Sequence, residues 1–294
     1  MMKKLLAMAV TAAFTVSMLA GCGQSAETTD ASVQETTQET ETEAADEETA
    51  GAADAASEDT AERTTFTVGF DAEFPPYGYM DESGEYTGFD LELAQEVCDR
   101  NGWELVKQPI DWDSKDMELS SGAIDCIWNG FTMNGREDAY TFSVPYVDNS
   151  QVFVVAADSG ITVFDDLAGK NVGVQKDSSA LAALEGDAAD LAATFGNLTQ
   201  YSDYNTAFMD LEQGAIDALA IDVGVADYQI ASRGEGFVKL SENLASEQYG
   251  IGFKLGNVEL KDQVEKTLLE MADDGTFGKI AEKYGLSDSV CLGK

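Results

Sequence analysis

Residues 122–125 (GAID) recur unchanged as residues 214–217, and this repeat decides the predicted fold. Each copy follows a stretch of helical periodicity, residues 113–121 and 204–213, and precedes a short apolar run typical of a buried strand. Four identical residues alone are compatible with coincidence, but the matching context on both sides favours one structural unit used twice. The sequence therefore predicts two similar α/β lobes.

Strand and helix patterns alternate around the first copy of the repeat. Residues 65–70 alternate and are rich in β-branched side chains, and residues 89–100 carry an apolar stripe at helical spacing. Residues 104–108 have the pattern of the next strand. This βαβ order predicts a mainly parallel sheet.

Polar side chains follow the strand that comes after each copy of the repeat. Thr132 and Arg136 follow the strand predicted at residues 126–128, and Asp222 follows the strand predicted at residues 218–221. Ligands of open α/β sheets bind beyond the carboxyl ends of the strands, so we expect these side chains to line a cleft. A hydroxyl and a guanidinium on one lobe and a carboxylate on the other are the complement of a zwitterion.

Composition excludes several classes of function. The chain has 294 residues, with 17 Lys and Arg against 55 Asp and Glu, and a formal net charge of −38. Such a surface repels phosphate, so no nucleic acid is expected as a partner. The chain contains no histidine, which removes Ser-His-Asp triads and His-ligated zinc. We expect no cofactor and no metal.

The N-terminus has the pattern of a bacterial lipoprotein signal peptide. Lys3 and Lys4 precede an apolar run of 16 residues, 5–20, and small residues lead to Cys22. The alternative, a membrane-spanning helix, needs about 20 apolar residues. We predict a signal peptide over residues 1–21, lipidation of Cys22, and anchoring of the protein to the membrane through that lipid.

Residues 22–63 are predicted to form a disordered acidic tether. Residues 23–63 hold thirteen acidic residues, a single basic residue, Arg63, and no aromatic residue. Such a segment buries too little apolar surface to offset the entropy of ordering. Of the remaining cysteines, Cys98 and Cys126 fall in apolar patterns that favour plain burial; with Cys291 they allow at most one disulfide, and no pair is assigned.

Five motifs in the core occur in the order found in a known family. They are residues 70–77 (FDAEFPPY), 87–91 (TGFDL), 171–175 (NVGVQ), 216–218 (IDA) and 274–281 (DGTFGKIA). In this order they resemble the polar amino-acid solute-binding proteins of ABC importers, the bacterial extracellular solute-binding proteins of family 3, in their lipoprotein form. The resemblance runs from about residue 65 to residue 286.

The resemblance implies a two-lobed, periplasmic-binding-protein-like type II fold, with two α/β lobes joined by two crossover strands. Mapped onto this sequence, the first lobe is 64–155 plus 249–294 and the second is 156–248. The lobes would close about a hinge near residues 153–157 and 246–250. A monomer on the outer face of the cytoplasmic membrane would then capture an L-amino acid and deliver it to an ABC permease.

The family's ligand-binding positions map onto residues of the first lobe. Arg136 would hold the ligand's α-carboxylate, since a guanidinium grips a carboxylate through two parallel hydrogen bonds. The family arginine usually lies five residues beyond a threonine, whereas Arg136 lies four beyond Thr132, which indicates a shorter loop. Thr132 would bind the same carboxylate, and Gly130 would permit close backbone approach. The alternatives are a surface arginine paired with a neighbouring acid and a threonine that merely ends a strand.

The second lobe would bind both charged groups of the ligand. Ser178 and Ser179 precede a predicted helix whose N-terminus would receive the carboxylate, although Ser178 also fits a simple N-cap. Asp222 would bind the α-ammonium, and its alternative is again an N-cap. Asp71 would reach the ammonium or the ligand's side chain.

Aromatic residues would contribute to specificity for the ligand's side chain. Phe74 and Trp112 fall where the family places rings around the ligand, and Asn129 lies near the predicted pocket floor; the rings also fit plain core positions. Asp71 and Glu73 favour a polar or basic ligand, with glutamine, cystine and basic amino acids as candidates. The same fold serves dehydratase-like and peptidoglycan-acting enzymes, in which either acid would be a general acid, and ligand-sensing modules. We favour the binding protein over an enzyme.

Overall fold

The computed structural model describes residues 63–293. The predicted signal peptide, the lipidation site Cys22 and residues 22–62 of the tether lie outside this part of the chain. Fourteen strands occur in it. They are β1 (Thr65–Phe70), β2 (Glu73–Phe74), β3 (Gly78–Met80), β4 (Tyr86–Thr87), β5 (Glu104–Pro109), β6 (Cys126–Ile127), β7 (Tyr140–Phe142), β8 (Val147–Ala156), β9 (Asn171–Gln175), β10 (Asn197–Tyr201), β11 (Ala218–Asp222), β12 (Phe237–Lys239), β13 (Ala245–Tyr249) and β14 (Gly252–Lys254).

Eight α-helices accompany these strands in the described part of the chain. They are α1 (Phe89–Asn101), α2 (Lys115–Ser121), α3 (Ser179–Glu185), α4 (Ala189–Ala192), α5 (Tyr204–Glu212), α6 (Val223–Arg233), α7 (Val258–Asp273) and α8 (Thr276–Lys283). A 3-10 turn, Trp112–Ser114, leads directly into α2.

The strands build two large sheets. The first has the order β5-β1-β6-β14-β7, and the second has the order β10-β9-β11-β8-β12, with β13 also paired to β8. Within each sheet the strands β1, β5, β6 and β9, β10, β11 run parallel, as the βαβ pattern predicts. We call the first sheet with α1, α2, α7 and α8 lobe one, and the second sheet with α3–α6 lobe two.

The long strands β8 and β13 carry the chain between the two sheets. They pair antiparallel from Val147 with Tyr249 to Gln151 with Ala245, and both are hydrogen-bonded into the second sheet. Just beyond β13, Gly252 joins β14 to the first sheet. The residues at the start of β8 and the end of β13 therefore lie at the base of the space between the sheets.

The repeated GAID tetrapeptides occupy equivalent positions. Residues 122–125 follow α2 and lead into β6, and residues 214–217 follow α5 and lead into β11. In both copies the aspartate accepts a backbone N–H from the neighbouring parallel strand: Asp125 from Thr67, and Asp217 from Asn171. The isoleucines, Ile124 and Ile216, are buried. The tetrapeptide is thus the same helix-to-strand connection in each lobe.

Large aromatic side chains fill the core beneath the cleft. Trp128, Tyr146 and Tyr77 are almost fully buried and pack with Phe89 and Tyr249. Cys98 and Cys126 are buried thiols that form no disulfide, as their apolar patterns predict. Within residues 63–293, no helix combines the length and the apolar character that crossing a bilayer requires.

Candidate functional site

Four buried polar residues lie at or after the ends of strands of the two sheets. Asp71 follows β1, Thr132 follows β6, Ser178 follows β9, and Asp222 is the last residue of β11. All four are at least nine-tenths buried. The carboxyl ends of parallel strands lie at one edge of a sheet, so the two sheets present these groups to one another.

Asp222 is the most enclosed carboxylate of the cleft. Its oxygens accept hydrogen bonds from Asn149 (2.9 Å), Gln151 (2.7 Å), Tyr204 (3.0 Å) and Tyr249 (2.5 Å). It occupies the N-cap position of α6 but makes no side-chain capping bond, so capping does not account for its carboxylate. Burial, with the nearby Glu247 carboxylate as a second cause, raises the pKa of Asp222 to about 7.

Arg136 follows β6 and contacts both lobes. Its guanidinium donates to the backbone carbonyl of Thr132 (3.1 Å) and to that of Asp177 (3.4 Å), and it stacks over the Phe131 ring at 5.0 Å. No ion pair of Arg136 with an acidic residue is found within residues 63–293. The alternative of a surface arginine paired with a neighbouring acid therefore does not describe its surroundings.

Hydroxyl groups from the two lobes meet beside Arg136. Thr132 donates to the hydroxyl of Ser179 at 3.3 Å, and Gln151 donates to that hydroxyl at 2.9 Å. Ser178 caps α3 by accepting the N–H of Leu181 at 3.1 Å. The N-cap interpretation of Ser178 is thus confirmed, while Ser179 presents its side chain to the cleft.

Asp71 links the two lobes through Gln175. One carboxylate oxygen accepts the Glu73 N–H at 2.8 Å, and the other accepts the Gln175 side-chain amide of lobe two, also at 2.8 Å. Asn129 accepts the Asp71 N–H at 3.0 Å, so it positions the Asp71 backbone. Burial is the main cause that raises the pKa of Asp71 to about 6.

Gly130 allows the loop after β6 to pass between two rings. Its φ is +55°, and a Cβ atom there would lie 2.9 Å from both the Phe74 and the Tyr249 rings. The Gly130 N–H donates to the buried carboxylate of Asp90 at 2.6 Å. Any larger residue would push the loop away from the cleft, and Asp90 fixes the loop's position from below.

Phe74 and Trp112 are both nearly buried, and their rings touch other aromatic residues. Phe74 packs on Tyr204 of lobe two with ring centroids 5.9 Å apart. Trp112 packs on Phe131 at 5.6 Å, and the Lys115 ammonium lies 5.2 Å from the Trp112 ring centroid. The rings therefore form part of the cleft wall as well as part of the core.

Two ion pairs join the lobes at the rim of the cleft. Lys115 of α2, whose side chain is 3% exposed, pairs with Asp177 at 2.9 Å. In the second pair the lysine, Lys176, belongs to lobe two and the acid, Asp113, to lobe one, and both side chains are exposed. Asp177 has a positive φ of 59°, which turns its carbonyl towards Arg136 and its carboxylate towards Lys115. These contacts describe lobes that are closed on one another.

A cavity of about 400 Å³ extends from Trp112 and Asp71 along the seam between the lobes. Its carboxylates are Asp71, Glu73, Asp111, Glu118 and Asp203, and it has no basic lining residue. In the portion of the chain described, no cluster of three or more acidic, cysteine or histidine residues is arranged to hold a metal ion.

The sequence analysis did not find Glu247, Asn149 and Gln151. Asn149 and Gln151 sit on one face of β8, and Glu247 faces Asn149 across the β8–β13 pair. All three are buried, and both amides donate to Glu247. One signal was available: four consecutive polar residues, 148–151, directly precede the apolar run 152–155 of the same strand.

The model of one protein family matches residues 66–287 of the chain: the bacterial extracellular solute-binding proteins, family 3. The chain belongs to this family. Over 226 residues it is 30% identical to the L-cystine-binding protein TcyJ of Escherichia coli K12, covering 76% of this chain and 83% of that relative. The family resemblance inferred from the five motifs is confirmed.

Solved structures of family members show the same fold. A substrate-binding protein of an ABC uptake transporter from Streptococcus pneumoniae with bound histidine is 34% identical, with a TM-score of 0.74, covering 77% of this chain and 94% of that one. An ancestral arginine-binding protein bound to arginine is 35% identical, with a TM-score of 0.70, covering 76% and 99%. The predicted two-lobed type II fold is confirmed.

Proposed function

We propose that the protein captures an L-amino acid between its lobes, delivers it to an ABC permease and catalyses no reaction. One observation carries this proposal: among the described residues the Arg136 guanidinium has no acidic partner and the Asp222 carboxylate has no cationic partner. The hydrogen-bonded side chains of Thr132, Ser179 and Gln151 connect the surroundings of the two groups. A charged group in such a site is costly unless an opposite charge meets it. An α-amino acid supplies both charges.

Each end of the zwitterion has a set of binding groups in this proposal. The α-carboxylate lies against Arg136, the Thr132 hydroxyl and the Ser179 hydroxyl, which already form a connected group. The α-ammonium lies against Asp222. Gly130 lets the loop backbone approach the ligand, and Phe74 and Trp112 cover its aliphatic part.

The ligand's side chain points into the acidic cavity beside Asp71. Five carboxylates without a basic residue favour a polar side chain, and a cationic one most. Relatives of this chain are named for cystine, histidine and arginine, and we keep glutamine, cystine and basic amino acids as the candidates. Asp71 already accepts two hydrogen bonds, from Glu73 and from Gln175 of the other lobe. This favours a role in holding the lobes together over a role as a general acid.

In this proposal, ligand binding favours the closed arrangement of the two lobes. Lys115–Asp177, Lys176–Asp113 and Gln175–Asp71 all join the two lobes, so a ligand that bridges them favours the closed form. We place the hinge near residues 153–157 and 246–250 and propose the lobe boundaries 64–155 with 249–294 and 156–248. These boundaries cut through the crossover strands, because β8 and β13 pair in the second sheet although most of β8 falls on the lobe-one side of the boundary. The crossover strands β8 and β13 contain both segments or adjoin them.

We also propose that the protein is a monomer anchored on the outer face of the cytoplasmic membrane. Cleavage before Cys22 and lipidation of its thiol would hold the core on the acidic tether of residues 22–63. The family description, extracellular solute-binding proteins, agrees with an extracytoplasmic location. Metabolic labelling with a radioactive fatty acid, compared between the native chain and Cys22→Ser, tests the anchor.

A thermal-shift screen tests the binding function. The core, residues 64–294, is unfolded and refolded to remove bound ligand and is then screened against the standard amino acids and cystine. A specific ligand at 100 times its Kd adds about 2.7 kcal/mol to the free energy of unfolding. A shift with one or a few amino acids supports the proposal. No shift across the panel, with refolding shown by circular dichroism, rejects it.

A further inference from the structure

The base of the cleft holds two buried carboxylates, of which the proposed function uses only Asp222. Glu247 on β13 is 7% exposed and Asp222 on β11 is 4% exposed. Strand register explains why they meet: Asp222 pairs with Gln151 across β11 and β8, and Glu247 pairs with Asn149 across β13 and β8. Directly opposed residues of antiparallel strands share a face, so all four side chains lie on one side of the sheet.

The two carboxylates share the same neutral donors. Asn149 donates to Asp222 at 2.9 Å and to Glu247 at 2.7 Å, and Gln151 donates to them at 2.7 and 2.8 Å. The other donors to Asp222 are the hydroxyls of Tyr204 and Tyr249. Within the described chain, neither carboxylate forms an ion pair with a lysine or arginine. The cluster therefore carries negative charge that no protein cation neutralises.

A second observation points to a missing hydrogen-bond donor. The Asn149 side chain is 5% exposed and that of Gln151 is fully buried, and the oxygen of each amide has no partner in residues 63–293. Because each oxygen is bound to the same carbon as the nitrogen that reaches both carboxylates, it lies within the cluster. A buried acceptor without a donor is unfavourable. An ammonium group has three N–H donors and a positive charge. It would therefore supply the missing donors to the amide oxygens and neutralise the negative charge of the cluster.

We infer that Glu247 is a second ammonium-binding carboxylate, and that Asp222 and Glu247 together select ligands with an unsubstituted primary α-ammonium group. This inference rests on the proposed function. It assigns a ligand-binding role to the crossover strand β13. The ammonium would then bind at the base of the cleft, where the two lobes are connected. A ligand whose amine is acylated loses both the charge and the donors that this cluster requires.

The test is calorimetric titration of the full chain, stripped of bound ligand, with L-arginine, L-histidine, L-glutamine and L-cystine as probes. We expect Glu247→Gln to weaken binding of every probe that the native protein binds by tenfold or more. Glu247→Asp, which keeps the charge, should bind more tightly than Glu247→Gln. Glu235→Gln makes the same change of net charge at an exposed position and should stay within twofold of the native protein. Nα-acetylated forms of the bound probes should not bind.

Thermal unfolding of the ligand-free variants separates binding from folding. Glu247→Gln removes one of two adjacent buried negative charges, so its unfolding temperature should equal or exceed that of the native protein while its affinity falls. The inference is overturned if Glu247→Gln binds within twofold of the native protein, if Glu247→Asp binds more weakly than Glu247→Gln, or if affinity and unfolding temperature fall together. If the native protein binds another standard amino acid instead of these four, that amino acid becomes the probe; if it binds none of the standard amino acids or cystine, the proposed function fails first and the inference fails with it.

Discussion

The two ends of the cleft are built differently. The Arg136 end is half-exposed and takes groups from both lobes, since the guanidinium bonds to the carbonyls of Thr132 and Asp177. The Asp222 end is buried, and its donors, Asn149, Gln151, Tyr204 and Tyr249, all belong to lobe two or its crossover strands. The proposed ammonium end therefore lies within one lobe and its crossover strands, whereas the proposed carboxylate end takes contacts from both lobes.

Because of this difference, substitutions at one end should change ligand affinity alone, whereas substitutions at the other end should also change how readily the lobes close. A preformed site holds its groups in place before the ligand arrives, so a change there alters the charge that the ligand meets. A site completed by closure also depends on the contacts that bring the lobes together, such as Lys115 with Asp177. Substitutions at the two ends should consequently differ in what they do to the ligand-free protein.

The largest effect is expected at the carboxylate end. Arg136→Ala should reduce binding by about 2 to 5 kcal/mol, because the desolvated ligand carboxylate loses its charged partner. Calorimetric titration with the amino acid that gives the largest thermal shift measures the loss. Arg100→Ala, which removes an arginine paired with Glu96 and Asp274 on the surface, is the control and should bind normally. Unchanged affinity in Arg136→Ala would remove Arg136 from the site.

At the ammonium end, Asp222→Asn should reduce binding by about 2 to 4 kcal/mol. The asparagine keeps an oxygen for Asn149 and Gln151, so the fold is preserved. Since a buried charge disappears, the free energy of unfolding of the ligand-free variant at pH 8 should rise. Titration and denaturant unfolding measure the two effects. A variant that loses stability and binding in parallel would contradict a preformed ammonium site.

Lowering the pH should change stability and affinity in opposite directions. The pKa of Asp222 and that of Asp90 are raised by burial to about 7, from 3.8. The folded protein therefore holds more protons than the unfolded chain between these values, and the free energy of unfolding should increase as pH falls from about 8 to 5. The ammonium needs the Asp222 carboxylate ionised, so affinity should fall by roughly tenfold per unit below pH 7. Unfolding and titration series at matched pH check both signs.

The smallest effects concern closure. Asp177→Asn keeps a residue that tolerates positive φ but removes the charge that pairs with buried Lys115, and it should weaken binding by about 1 kcal/mol. Asp113→Asn removes the exposed pair with Lys176 and should cost less than about 0.5 kcal/mol. Both variants should leave the ligand-free stability nearly unchanged. Equal effects of the two variants would show that burial of the pair does not matter.

Much of the fold was predictable because its signals are local. Strand β1 has the predicted bounds, and α1 extends one residue beyond its predicted end, because periodicity and apolar runs lie within a few neighbouring residues. The GAID repeat predicted the two lobes. Asp222 was found because it ends an apolar strand, where a carboxylate has no structural reason to be buried.

The residues that the sequence did not reveal depend on register between distant strands. Glu247 meets Asn149 across 98 positions, and no local pattern specifies that pairing. Asn129 was expected at the pocket floor, but its side chain binds the Asp71 backbone, a contact over 58 positions. Asp177 contacts Lys115 of the other lobe across 62 positions. Side-chain direction inside a cleft is decided by such pairings, so it cannot be obtained from spacing alone.

The most direct test of the zwitterion site is a crystal structure of the protein with the amino acid that gives the largest thermal shift. We predict both α-carboxylate oxygens within hydrogen-bond distance of Arg136, and the α-ammonium within hydrogen-bond distance of Asp222. The side chain should extend towards the acidic cavity that begins at Asp71 and Trp112. An amino acid bound with its carboxylate away from Arg136, or with its ammonium away from Asp222, would contradict the account.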